Sequence, residues 1–411
     1  MLIANPHASL KPYPADLRQI MNMAAAEESL RWLSAWDRMS SEPTPIHDLP
    51  DQASRLGVAQ ILVKDESVRS PLGSFKALGA PVALLRLILR RWPAHDIDPT
   101  QLIRGAYASL VKDFTVISAT DGNHGRALAA AAKSVGCACV IVLHANVSAE
   151  REEAIAAYGA KIVRIAGNYD ASVEEAARLA AANGWEVVSD TSYDGYEDIP
   201  RDVMQGYGAI AAEAIRQLRA PVTHVILQGG VGGMAAGVIS YLWERYGEKR
   251  PTFIVVEPRQ ADCLYQSARV GYPAKATGSV DSVMAGLACG ETSPLAWKFL
   301  NESVDVFMTL SDDDAVAAMV TLAAGGARDI PIVSGESGAA GFAGLAVLCA
   351  DPALRQEVGL DANSRVLLVS TEGATAPQVY RELVGESADA IIAHQIAHQT
   401  AYQTAHRQRD V

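Results

Sequence analysis

The sequence predicts an α/β fold with two mostly parallel sheets flanked by helices. Three observations lead there. Short runs of β-branched and aliphatic residues recur, most of them continuously apolar, as in strands buried on both faces. Alanine-rich segments with helical spacing of Ala, Leu and Ile lie between them, and such alternation implies parallel sheets with right-handed crossovers. The strand candidates also fall into groups: four are closely spaced between residues 110 and 190, and another group begins near His224.

In chain order, the expected strands are 60–64, 115–119, 139–143, 161–165, 186–189, 224–228, 253–257, 304–309 and 366–370. The expected helices include 125–135, 149–158, 171–183 and 202–218. The polar stretch 189–202 reads as an irregular connection between the two sheet systems. The expected division is a discontinuous large domain, 1–108 with 206–411, and a small domain, 109–205, with the active site in the cleft between them.

Composition narrows the function. Of 411 residues, 49% are apolar and 20% charged, which suits a large buried core rather than a disordered chain. The net charge of −12 argues against a dedicated nucleic-acid partner, which would need clustered Lys and Arg. Cys137, Cys139, Cys263, Cys289 and Cys349 are odd in number and form no CxxC pair, so buried reduced thiols are expected rather than disulfides or a zinc ribbon. No signal peptide is evident at the N-terminus, and the cytoplasm is the expected location. Residues 225–243 carry no charge but contain Gln228 and five glycines, which fits strand, loop and helix better than a membrane span. In the tail, His394, His398, Tyr402 and His406 repeat every four residues without a carboxylate or thiol. A surface or partner-facing helix explains them better than a metal site, and no metal is expected.

Four motifs sit at expected strand ends. Lys76, in Ser74-Phe-Lys-Ala-Leu-Gly, has apolar neighbours, and a buried amine is a good Schiff-base nucleophile. Thr120-Asp-Gly-Asn-His-Gly125 opens a helix, where free amides can take a carboxylate and Asp121 is a base or a cap. Gln228-Gly-Gly-Val-Gly-Gly-Met234 offers a cradle of amides to a phosphate, but it is not a Walker A sequence and fits GxGxxG poorly. Ser370-Thr-Glu-Gly373 closes the last strong strand with a hydroxyl that can reach a ring nitrogen.

In this order the motifs resemble those of the fold type II pyridoxal 5'-phosphate enzymes, the tryptophan-synthase β-like family. The resemblance covers about residues 35–385. Within the family the sequence is most similar to the diaminopropionate ammonia-lyases, on KDES, TDGNHGR, DGYEDIPRDVMQGY, VEPRQADCLYQSA, VMAGLACGE and STEGAT. The resemblance implies pyridoxal phosphate as cofactor, a small amino-acid substrate, no membrane partner and a homodimer. It makes Lys76 the covalent anchor, with Asn123 on the cofactor's phenolic oxygen. Gly229, Gly230, Val231, Gly232 and Gly233 would hold the phosphate, and Ser370 would face the pyridine nitrogen. Thr120, Asp121 and His124 would bind the substrate, with Asp190 as a further carboxylate. Lys76, Asp121 and Asp190 are the expected catalytic residues, Lys76 serving L- and Asp121 D-substrates. An acidic pocket would attract the β-ammonium of 2,3-diaminopropionate, whose elimination yields pyruvate and two ammonia. A threonine or serine dehydratase, another 3-hydroxy amino acid dehydratase or a racemase of the same fold is the alternative. A dinucleotide-binding Rossmann-like protein is a remoter one.

Overall fold

A computed structural model describes residues 1–120, 122–167 and 169–407, and leaves the side chains of residues 170 and 401–407 undescribed. The strands are β1 (Leu2–Ala4), β2 (Ile46–Asp48), β3 (Gln60–Asp65), β4 (Thr115–Ala119), β5 (Ala138–Leu143), β6 (Lys161–Arg164), β7 (Glu186–Val187), β8 (His224–Gln228), β9 (Thr252–Pro258), β10 (Val306–Leu310) and β11 (Arg365–Ser370). They form a seven-stranded sheet, ordered β1-β10-β9-β8-β11-β3-β2, and a four-stranded sheet, ordered β6-β5-β4-β7. All neighbours are parallel except β1 and β2, which pair antiparallel at the two edges of the large sheet.

The α/β class and every expected central strand are present. The two edge strands were not expected: each has three residues, too few for a readable alternation. β3 joins the large sheet although it precedes the small one in sequence, so the large sheet is assembled from both ends of the chain. β8 is buried at every position, as its uninterrupted apolar run requires. Register places the carboxyl ends of several strands along one edge, with Ser370 opposite Asp65 and Gln228 opposite Val256.

Two helices connect the sheets to the future site. Asn123–Val135 follows β4 directly, and its buried alanines pack against β5 and the helix Ala80–Arg91. Asp198–Gln217 lies against the segment that carries Lys76. A Cβ on Gly206 would fall 2.1 Å from the carbonyl oxygen of Leu78, so only glycine permits this backbone approach. The helix also runs continuously through position 205.

A buried ion network holds the same region. Lys64 Nζ donates to Thr44 O (2.7 Å), Glu213 Oε2 (2.8 Å) and Gln217 Oε1 (2.9 Å). Arg69 makes bidentate contacts with both Glu66 and Glu213 at 2.7–2.8 Å. Two cations thus face two carboxylates, and the segment leading to Lys76 is tied to the helix Asp198–Gln217.

Among the described residues, no helix is long and apolar enough to cross a membrane, and no group of three or more His, Cys, Asp or Glu could hold a metal ion. Residues 225–243 fold as most of β8, a glycine loop and the helix Gly233–Tyr246. Cys137, Cys139, Cys263 and Cys349 are free thiols. The tail forms the helix Ala388–Arg407, in which His394 Nδ1 lies 3.9 Å from Glu386 Oε1. The side chains of Tyr402 and His406 lie outside the described residues.

Candidate active site

One cavity takes walls from both sheets. Lys76, Thr120, Asn123, His124, Asp190, Gly229, Gly230, Val231 and Gly233 all line it. The sequence scatters these residues over more than 150 positions, and the ends of β4 and β8 bring them together. Gly232 and Ser370 are not among the lining residues, and Asp121 lies outside the described residues. Ser370 is buried behind the wall, where its hydroxyl donates to Ser334 Oγ at 2.8 Å, and its neighbour Thr371 reaches the cavity.

Two helices point their N-termini at the cavity, Asn123–Val135 and Gly233–Tyr246. Their unpaired amides and dipoles favour an anion at each end. The second is preceded by Gly230 and Gly232, both with positive φ, at +63° and +97°. A Cβ on Gly232 would meet Leu300 Cδ1 at 2.8 Å and Ala296 Cβ at 3.2 Å. At the first helix, the Thr120 hydroxyl accepts from the amides of Gly122 and Gly125, both at 3.1 Å. Thr120 therefore shapes the turn that opens this helix.

Lys76 starts the reactive side of the cavity. It lies in a short 3₁₀ turn, Phe75–Leu78, and its Nζ donates to Asp190 Oδ2 at 2.5 Å. The rings of Phe75 and Tyr207 flank the ammonium. Burial pulls the Lys76 amine down, but Asp190, then Tyr207, raise it above the usual lysine value. Burial would raise the Asp190 carboxyl, yet Lys76 and then His124 hold it well below the carboxylate range. The pair is ionised and self-compensating.

His124 is buried, with Nε2 2.8 Å from Val188 O. A carbonyl only accepts, so Nε2 carries the proton and the neutral ring turns the Nδ1 lone pair inward. Nδ1 has no hydrogen-bond partner among the described residues and lies 3.8 Å from Asp190 Oδ2. Burial lowers the ring's basicity, Asp190 raises it, and Lys76 lowers it further.

Sequence reading passed over several cavity residues. Glu372 follows the end of β11 with no local signal of a role, and Asn123 Nδ2 donates to its Oε2. Tyr207, Arg151, Ser337 and Cys289 also line the space. Gln228, at the end of β8, donates to Gly338 O (2.9 Å) and Val369 O (2.7 Å), which staples the glycine loop's strand to β11.

These groups fit pyridoxal phosphate. A lysine amine stands ready for its aldehyde, amides at a helix N-terminus suit its phosphate, and glycines leave the cradle unobstructed. A family model described as pyridoxal-phosphate dependent enzyme matches residues 38–372. The chain belongs to this family. Among curated relatives, the diaminopropionate ammonia-lyase of Escherichia coli is 40% identical over 355 residues, covering 85% of this chain and 89% of that protein. The crystal structure of holo diaminopropionate ammonia-lyase from Escherichia coli superposes with a TM-score of 0.86 at 36% identity, covering 93% of this chain and 96% of that one. These likenesses place the chain among the diaminopropionate ammonia-lyases. A threonine deaminase from Solanum lycopersicum, at 21% identity, has a TM-score of 0.68 over 94% of this chain and 96% of its own, and shows the shared fold alone. The lyase cofactor is pyridoxal phosphate.

Proposed function

We infer that the chain catalyses the α,β-elimination of 2,3-diaminopropionate with pyridoxal phosphate. One substrate and one water give pyruvate and two ammonia. The observation that carries the reading is the Lys76–Asp190 pair inside a cavity faced by two helix N-termini. It supplies a proton acceptor, a carboxylate that meets the resulting charge and two anion-binding ends in one space.

Bound cofactor supplies an electron-withdrawing ring that stabilises negative charge at the substrate α-carbon. The chain's own residues do the rest. Lys76 anchors the cofactor, the amides of residues 229–233 take its phosphate, and Asn123 and Ser370 are the proposed partners of its phenolic oxygen and ring nitrogen. The N-terminus of Asn123–Val135, with the O–H of Thr120, receives the substrate carboxylate. His124 closes that side with its inward nitrogen. The Lys76 amine accepts the α-proton of an L-substrate, and the resulting ammonium rests against Asp190 at 2.5 Å. For a D-substrate, Asp121 is the proposed base, on the family resemblance. The β-ammonium needs no further proton to leave as ammonia, so the site need only hold it near a carboxylate and exclude water.

The same reading extends to organisation. A division into 1–108 with 206–411 and 109–205 is supported by β4–β7, which alone form the small sheet. A homodimer is proposed on the family resemblance, and sedimentation measures it. The cytoplasm is the proposed compartment, in keeping with the free thiols. The net charge of −12 supports the absence of a nucleic-acid partner. The deciding experiment assays pyruvate and ammonia with D- and L-diaminopropionate, serine and threonine. Turnover of diaminopropionate well above the hydroxy amino acids is expected. A preference for threonine or serine would return the dehydratase reading.

A further inference from the structure

The cavity holds a second acidic group, on the wall built by the end of β11 and the loop before the helix Ala340–Ala350. Glu372 lines the cavity. Its Oε1 accepts from the amide of Ser337 at 3.1 Å, and its Oε2 accepts from Asn123 Nδ2. Directly behind, Glu336 is 2% exposed. Its Oε1 lies 3.6 Å from Arg151 Nη2, beyond hydrogen-bond length, and its Oε2 is buried without a hydrogen-bond partner among the described residues. Asp190 differs, because its charge is met by Lys76 at 2.5 Å.

Two buried carboxyls with one distant guanidinium are under-compensated. Burial and the neighbouring Glu372 raise the Glu336 carboxyl to about 7, against the pull of Arg151, with Glu150 adding to the rise. Glu336 therefore takes up a proton as pH falls through neutrality, while the pair as a whole remains acidic. Neutral donors meet the Glu372 charge: the Ser337 amide, the Asn123 side-chain amide and the Thr375 hydroxyl, which donates to Oε2 at 3.4 Å. A neutral substrate arm would leave it so, and a cationic arm would complete it.

We propose that Glu372, backed by Glu336, receives the second ammonium of the substrate and selects diamino acids over hydroxy amino acids. The proposal rests on the lyase reading above. It adds a specificity residue that the recognised motifs do not assign.

The test is Glu372→Gln in the holoenzyme, a change that preserves shape and removes charge. kcat/KM for diaminopropionate should fall about 10–100-fold, mostly through KM, as expected for losing a charged hydrogen-bond acceptor. With serine, which lacks the second charge, kcat/KM should change by less than about threefold, and the cofactor's visible absorbance should be unaltered. Glu336→Gln supplies the second measurement. In the wild type, kcat/KM for diaminopropionate should decline on the acid side of about 7 as Glu336 takes up its proton and the pair loses one of its two charges. The variant, which has no carboxyl to titrate in that range, should lack this decline. Equal losses for both substrates in Glu372→Gln, or a changed cofactor spectrum, would overturn the proposal and leave Glu372 as a support for Asn123. A wild-type enzyme that makes pyruvate from serine but not from diaminopropionate would instead overturn the lyase reading itself.

Discussion

Gly232→Ala isolates the phosphate cradle from the rest of the site. Gly232 has φ +97°, and its absent Cβ would sit 2.8 Å from Leu300 Cδ1 and 3.2 Å from Ala296 Cβ. Both neighbours belong to the helix Pro294–Ser303, which is firmly packed. Backbone strain at such a φ costs about 1–3 kcal/mol, and overpacking costs about 1–3 kcal/mol more. The loop can relieve both only by moving, which misaims the amides of residues 229–233. If about 2–3 kcal/mol of this falls on cofactor binding, affinity drops about 30–150-fold. Gly159→Ala is the control: its φ is +82°, but a Cβ there would meet nothing within 4 Å. It should cost stability through strain alone and leave cofactor retention unchanged. The assay is visible absorbance after exhaustive dialysis, with unfolding midpoints measured with and without added cofactor. Gly232→Ala should lose its cofactor and show a lowered midpoint that excess cofactor partly restores. Full retention by the dialysed variant would remove this loop from the phosphate site.

Lys76→Ala should abolish the absorbance of covalently attached cofactor and slow elimination by about 10²–10⁴-fold, the range for a lost proton-transfer group; wild-type turnover in that variant would reassign the lysine. Asp190→Asn leaves the buried Lys76 ammonium unpaired in the cofactor-free protein, at a cost of about 3–5 kcal/mol near neutrality. Because the folded-state pKa of Asp190 is lowered, its contribution is present above the unfolded value of about 3.9 and fades as pH falls through the folded value, so denaturation midpoints of wild type and variant should converge in acid. Glu213→Ala strips the main partner from Lys64 and Arg69 and should cost about 3–5 kcal/mol in urea unfolding, whereas a loss under about 1 kcal/mol would show the network to be dispensable.

Central strands and reactive loops were legible because each depends on local pattern. A continuous apolar run such as Val-Ile-Leu suits burial on both faces, and the glycine string after it suits a tight turn into a helix. Lys64 and Arg69 show where local pattern stops. Lys64 opens the KDES marker, yet its charge and that of Arg69 meet Glu213, 149 and 144 residues away, and serve packing rather than chemistry. The pairing of Lys76 with Asp190, across 114 residues, needed the fold in the same way. Glu336 left a signal that went unread. It is the only charged residue from 330 to 350, and a lone acid in so apolar a stretch must be neutralised, protonated or aimed at something.

The carboxyls of this cavity divide by environment rather than by residue type. Asp190 meets a lysine at 2.5 Å and stays ionised despite its burial. Glu336 meets a second carboxyl and only a distant arginine, and burial raises its carboxyl to about 7. Groups pushed apart in this way can serve opposite needs within one space. The ionised Asp190 stabilises the cation that forms on Lys76 as the α-proton is taken. The pair at Glu372 offers a charge that a cation on the substrate's far arm can complete. Their pH responses separate the two roles: the Asp190 carboxyl titrates only in acid, and Glu336 titrates near neutrality. A decline in kcat/KM centred near neutral pH therefore reports on the Glu336–Glu372 pair, because Asp190 stays ionised throughout that range.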